Sequence, residues 1–206
     1  MIAPPILQAI QNIPRQFYAD NNKINQDSPK NANDTLTSLF ISRYRRLTGT
    51  MPRSPQILPT SSIIQDILKN MPEQKGKSLS DMINYISGNM PVSSSPTQTI
   101  LFENTEPGSS TKQNMILELR ADIKISWSKF DWDFFKLNLF VEQYGYTNGF
   151  YLLVNQQAEA VRKKIEDYYS QNLYSSYNAG NIYFILKKDY DSEIVILDAN
   201  GGEVKL

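Results

Sequence analysis

The sequence predicts an α+β protein: a small mixed β-sheet in the order β-β-α-β-α-β-β, with helices packed on it and a Pro/Ser/Asn-rich arm of short helices before it. Three observations carry this reading. Near residue 96 the chain changes character, from short apolar stretches broken by Pro, Ser, Asn and Gln to closely spaced strand-like and helix-like segments. The stretch MILELRADIKISW alternates strictly. Ile116, Glu118, Arg120, Asp122, Lys124 and Ser126 fall on one side, and Met115, Leu117, Leu119, Ala121, Ile123, Ile125 and Trp127 on the other, the period of a pleated strand. GFYLLVN is nearly continuous in apolar residues, as expected of a strand covered on both faces. The division drawn from these is an extended N-terminal arm over residues 1–96 and a compact domain over residues 97–206.

Within the arm, Ile6, Leu7, Ile10 and Ile13 suit about two turns of amphipathic helix bounded by Pro5 and Pro14. Asn33 or Asp34 can cap a second helix over 34–47, striped by Leu36, Leu39, Phe40, Tyr44 and Leu47 and stopped at Gly49. TMPRSPQILPT is extended, and short helices follow around Ile63–Leu68 and Met82–Ile86. Helices this short have a weak core of their own and need another surface to lie on. In the domain, TQTILFEN and MILELRADIKISW form a hairpin turned at Pro107-Gly108. Asp131 or Asp133 caps a helix running to Tyr144. A second helix buries Ala158, Val161, Ile165 and Tyr168, and IYFILKK and EIVILDA are the last strands before an Asn200-Gly201-Gly202 turn.

Composition narrows the chemistry. Twenty-one basic and twenty-one acidic residues cancel, so no general attraction to nucleic acid or anionic lipid is expected. The cluster Arg43, Arg45 and Arg46 reads as a solvated helix face. The chain has no Cys and no His, which removes thiolate and imidazole nucleophiles, bases and metal ligands. No run of about 18 apolar residues marks a membrane span, and MIAPPILQAI lacks the basic start of a signal peptide. A cytoplasmic or virion protein, neither secreted nor membrane-bound, is expected.

One constellation carries potential chemistry. On a strand, Asp122 and Lys124 project together, an arrangement in which a carboxylate holds Mg²⁺ while Lys orients water. Glu103, at the end of the preceding strand, offers a second acid, and Glu118 a further one. With the αβα segment that follows, residues 97–187 resemble the PD-(D/E)XK nuclease fold, the restriction-endonuclease-like family, with Glu103 in place of its proline-aspartate, then Asp122 and Lys124. The resemblance implies a Mg²⁺-dependent nuclease with Glu103 and Asp122 as metal ligands. The same charges, alternating in sign, also read as the solvent face of an antiparallel strand, with cross-strand pairs worth about a few tenths of a kcal/mol each. The aromatic group Trp127, Phe130, Trp132, Phe134 and Phe135 reads first as core packing and second as a partner patch.

The preferred reading is a non-enzymatic assembly protein without a cofactor, such as a phage or viral connector, tail-ring or minor capsid component. Its arm would bind protein subunits of the same assembly, in a homo- or hetero-oligomer, through Ile6, Leu7, Ile10, Leu36, Phe40 and Tyr44. The nuclease is the alternative, and a protein-binding adaptor using the 34–47 and 61–88 helices is the third reading.

Overall fold

The sheet forms where the alternating and apolar runs lie. The computed structural model describes residues 4–18, 32–49, 99–103, 113–143, 146–175 and 179–205. Among these, strands β1 (Thr99–Glu103), β2 (Gln113–Arg120), β3 (Asn148–Val154), β4 (Ile182–Lys187) and β5 (Val195–Asp198) stand side by side in chain order. The outer pairs, β1–β2 and β4–β5, are antiparallel, and the inner pairs, β2–β3 and β3–β4, are parallel. Helices α1 (Pro4–Gln11) and α2 (Ala32–Thr48) precede the sheet, while α3 (Trp127–Gln143) and α4 (Ala158–Ser170) make the two parallel crossovers. The expected α+β class and element order are those observed.

Successive crossovers of one hand, stepping the same way across a sheet, leave both helices on one face. Accordingly α3 and α4 cover the side presented by Ile116, Tyr151, Leu153, Phe184, Leu186 and Leu197. β3 is buried throughout from Gly149 to Val154, as its unbroken apolar run requires. Gly149 lets α3 approach: a Cβ there would stand 3.3 Å from Val141 Cγ2 and from Ile182 Cγ1.

The opposite face, bearing Ile100, Phe102, Leu117, Leu119, Phe150, Leu152 and Ile185, is covered by α1, a 3-10 turn at Arg15–Phe17, and α2. This corrects the arm reading for these two helices. Ile6, Ile10, Leu36, Phe40 and Tyr44 are buried against the chain's own sheet, with Leu7 packed beside them, so the sheet of the same chain already covers them. The reason lies in the sheet itself, since the Leu117/Leu119 side of β2 and the Phe150/Leu152 side of β3 are apolar and must be covered. Asn155 Nδ2 fastens the layer by donating to the Phe17 carbonyl at 2.9 Å. Gly49, at φ 73°, ends α2 as expected. The boundary drawn at residue 96 and the helices expected between 61 and 88 lie outside the described residues.

Truncating this layer tests its place in the core. Phe40→Ala or Ile10→Ala is expected to lower stability by about 2–5 kcal/mol, read as a reduced urea midpoint. A midpoint equal to wild type would mean that α1 and α2 do not belong to the folded core.

Candidate functional site

β2 ends sooner than its alternation suggests. Its last residue is Arg120, and beyond it the backbone carbonyls bond to side-chain amides rather than to a neighbouring strand. Asn155 Nδ2 donates to the Ala121 carbonyl at 3.0 Å, and Gln156 Nε2 donates to the carbonyls of Asp122 and Ile123 at 2.6 and 3.2 Å. Asn155 takes a positive φ of 67°, a conformation Asn tolerates better than most residues. Ser126 then caps α3, its hydroxyl accepting from the Lys129 amide at 3.3 Å. The capping role expected of Asp131 or Asp133 therefore falls to Ser126, and both acids lie inside the helix.

The three residues of the nuclease constellation are not brought together. Glu103 pairs with Gln113 at one end of β2, while Asp122 lies past Arg120 at the other. Nine residues of extended chain separate them along the strand direction, about 30 Å. Asp122 and Lys124 sit on a bend rather than a strand. Lys124 is exposed, and Asp122 instead pairs with the Lys129 ammonium at 3.5 Å near the surface, a contact of small energetic consequence. Among the described residues no group of three or more acidic side chains is placed to hold a metal ion.

The charges that do converge are Glu118, Arg120, Asp133 and Lys136. Glu118 and Arg120 share the expected face of β2, but that face is not solvated: the two residues are 0% and 4% exposed beneath α3. Arg120 grips Asp133 with two bonds, Nε to Oδ2 at 2.6 Å and Nη2 to Oδ1 at 3.0 Å. The Tyr151 hydroxyl donates to Asp133 Oδ2 at 2.7 Å. Lys136 Nζ stands 3.0 Å from Glu118 and 3.1 Å from Asp133. Two acids and two bases are thus neutralised within one enclosed group spanning β2, β3 and α3.

This environment fixes protonation. Burial disfavours the Asp133 carboxylate, but Arg120 and Lys136 outweigh it and hold its pKa well below the usual carboxylate range. Burial likewise opposes the Arg120 charge, and Asp133 overcomes it, leaving the guanidinium more firmly protonated. Burial first and the Asp133 carboxylate second drive the Tyr151 hydroxyl well above its ordinary pKa. Asp133 stays ionised while Arg120 and Tyr151 stay protonated across the neutral range, which suits a brace rather than an acid–base relay. The network left a mark in the sequence: FDWDFFKLNLFV is apolar around the whole helix circumference, so its Asp and Lys had to be buried and paired.

Elsewhere, strand order follows chain order without reversal. The crevice that opens where a doubly wound sheet changes direction therefore does not arise. Of the aromatic group on α3, Phe130, Phe134, Phe135 and Trp132 are buried as expected of core, while Trp127 is 40% exposed. Ile123, on the loop pinned by Gln156, is 44% exposed. Arg45 and Arg46 are exposed and Arg43 is half-buried.

No protein-family model, curated protein or solved structure matches the chain. Fold and site define its class: a mixed five-stranded sheet between two helical layers, braced by an enclosed ion-pair network.

Breaking the brace is expected to be costly. Arg120→Met takes the bidentate partner from Asp133 and leaves the buried network with an unbalanced negative charge, so it should lower stability by about 3–5 kcal/mol, whereas Arg120→Met with Asp133→Leu should cost less than the single change. Asp133 is harder to protonate folded than unfolded, so its contribution is complete above about pH 4 and is lost as pH falls below that. Urea titrations on the acid side should therefore show a steeper loss for wild type than for Asp133→Asn.

Proposed function

We propose that this chain is a non-enzymatic structural component of a larger protein assembly, binding neighbouring subunits, copies of itself among them. The observation that supports it best is the exposed Ile123 on the β2–α3 connection and Trp127 at the start of α3, at 44% and 40% exposure. They stand on a segment that Gln156 and the Ser126 cap hold in place. Large apolar side chains on a stiff support lose little entropy on docking and are the usual anchors of protein interfaces. The chain's balanced charge fits a protein partner better than nucleic acid. Among the described residues no helix is long and apolar enough to cross a membrane. The reading calls for no cofactor and places the protein in the cytoplasm or in a particle assembled there. A phage or viral connector, tail ring or minor capsid position is the assembly in view, with residues outside the described ones as further contact points.

Light scattering on the full chain tests it. Wild type is expected to form a discrete oligomer, and Ile123→Ser with Trp127→Ser to yield a monomer of unchanged circular dichroism. A wild type that stays monomeric at high concentration, or an oligomer indifferent to both substitutions, would sink the proposal.

A further inference from the structure

The sequence holds two Asn-Gly dipeptides, Asn148-Gly149 and Asn200-Gly201. This pair is the one most prone to lose its side-chain amide, because a following residue without a side chain leaves its backbone nitrogen open to the Asn carboxamide. The fold treats the two differently. Asn148 pairs with Met115 on β2, and Gly149 pairs with Ile116 on β2 and Ile182 on β4. Closing a ring there would require Asn148 to leave the extended backbone of the ladder. Asn200 is exposed on the turn after β5, but the nitrogen it needs is held. The Gly201 amide donates to the Asp198 carbonyl at 3.0 Å, and Arg162 Nε, from α4, donates to the Gly201 carbonyl at 3.0 Å. Gly201 is buried under the Arg162 side chain. Asp198 Oδ1 accepts from the Asn200 and Gly202 amides at 2.8 and 2.9 Å, and the Glu203 carboxylate pairs with the same guanidinium at 3.5 Å.

We infer that Asn200 is a self-modification site, deamidated through the Gly201 nitrogen, and that the Arg162 clamp is its gate. A surface turn opens at less cost than a central strand, and opening frees the Gly201 amide. Its proton passes to a solvent base, and the nitrogen bonds to the carbonyl carbon of the Asn200 side chain. The adduct expels ammonia, which takes up a proton as it leaves, and a cyclic imide remains. Water then adds to either imide carbonyl, opening the ring to aspartate or isoaspartate. No oxidant or reductant is consumed. The isoaspartyl product adds a carbon to the main chain and a carboxylate to a turn that already carries Asp198 and Glu203, so the bonds of the turn cannot all re-form. That turn brings Val204 alongside β5, where its amide donates to the Ile196 carbonyl at 2.9 Å. The modification therefore loosens the cover over an outer strand of the sheet. It does not depend on the assembly role.

The test incubates full-length protein at mildly alkaline pH and follows both Asn-Gly peptides by mass spectrometry, with fragmentation that tells isoaspartate from aspartate. Folded wild type is expected to convert Asn200 faster than Asn148, yet several-fold slower than the same chain in concentrated urea, where the two sites react alike. Arg162→Ala should speed Asn200 several-fold and leave Asn148 unchanged, so that Asn148 reports any general unfolding. Asn200→Gln, whose longer side chain closes a ring far more slowly, should end the reaction at this site. Conversion of Asn200 at the urea rate in folded wild type would show a turn without a gate. No acceleration in Arg162→Ala, or equal acceleration at both sites, would show that Arg162 does not guard this turn. Each of these results overturns the proposal.

Discussion

The fold turns on the neutralisation of α3. From Phe130 to Val141 every residue of this helix is buried, yet it carries Asp131, Asp133 and Lys136. Left alone, any such charge would cost several kcal/mol in these surroundings. Glu118 and Arg120 answer Asp133 and Lys136 from β2, and Tyr151 adds a hydroxyl from β3. A one-residue slip of β2 would exchange its faces. Arg120 and Glu118 would then point among the residues of α1 and α2, and leucines would meet Asp133 and Lys136. The ion pairs are therefore worth less as net energy than as a statement of which register is allowed. The parallel pairing of β2 with β3, and through it β4, inherits that register.

Much of this was legible in the residues. Alternation in ILELR gave the two faces of β2 correctly, and the apolar run of GFYLLV gave a doubly covered strand. The end of β2 was not legible, because the pattern runs on to Trp127 without a break. What stops the strand is two amides, Asn155 and Gln156, that come from more than 30 residues later in the chain. Charge alternation was also read as a solvent face, since nothing local to β2 announces that α3 lies over it. The signal sat instead in α3, whose apolar circumference demanded buried partners for charges such as Asp133 and Lys136. The N-terminal stripes were found, but their destination was not: helices of that length need a surface, and a sequence does not say whose.

The same long-range logic separates the two kinds of charged residue. Asp122 and Lys124, two apart and suggestive on paper, end up on a bend with little but a surface pair to show. Arg120 and Asp133, thirteen apart, form a buried ion pair held by two hydrogen bonds. Without His or Cys, the enclosed carboxylates and bases are used to brace one another.

The way α1 and α2 are buried has a consequence for how the chain is made. From β2 to β5 each strand pairs with the next in the chain, so the sheet can grow by adding the next unit to the last. The N-terminal layer obeys a different schedule. Its fastening from Asn155 to Phe17 spans 138 residues, so α1 and α2 leave the ribosome well before the strands they cover. During synthesis Ile6, Ile10, Leu36 and Phe40 wait in the open for a sheet that has not been translated. In that interval they are exposed to whatever apolar surface or holding chaperone is nearest, and how quickly the ribosome delivers β3 and β4 sets how long the hazard lasts.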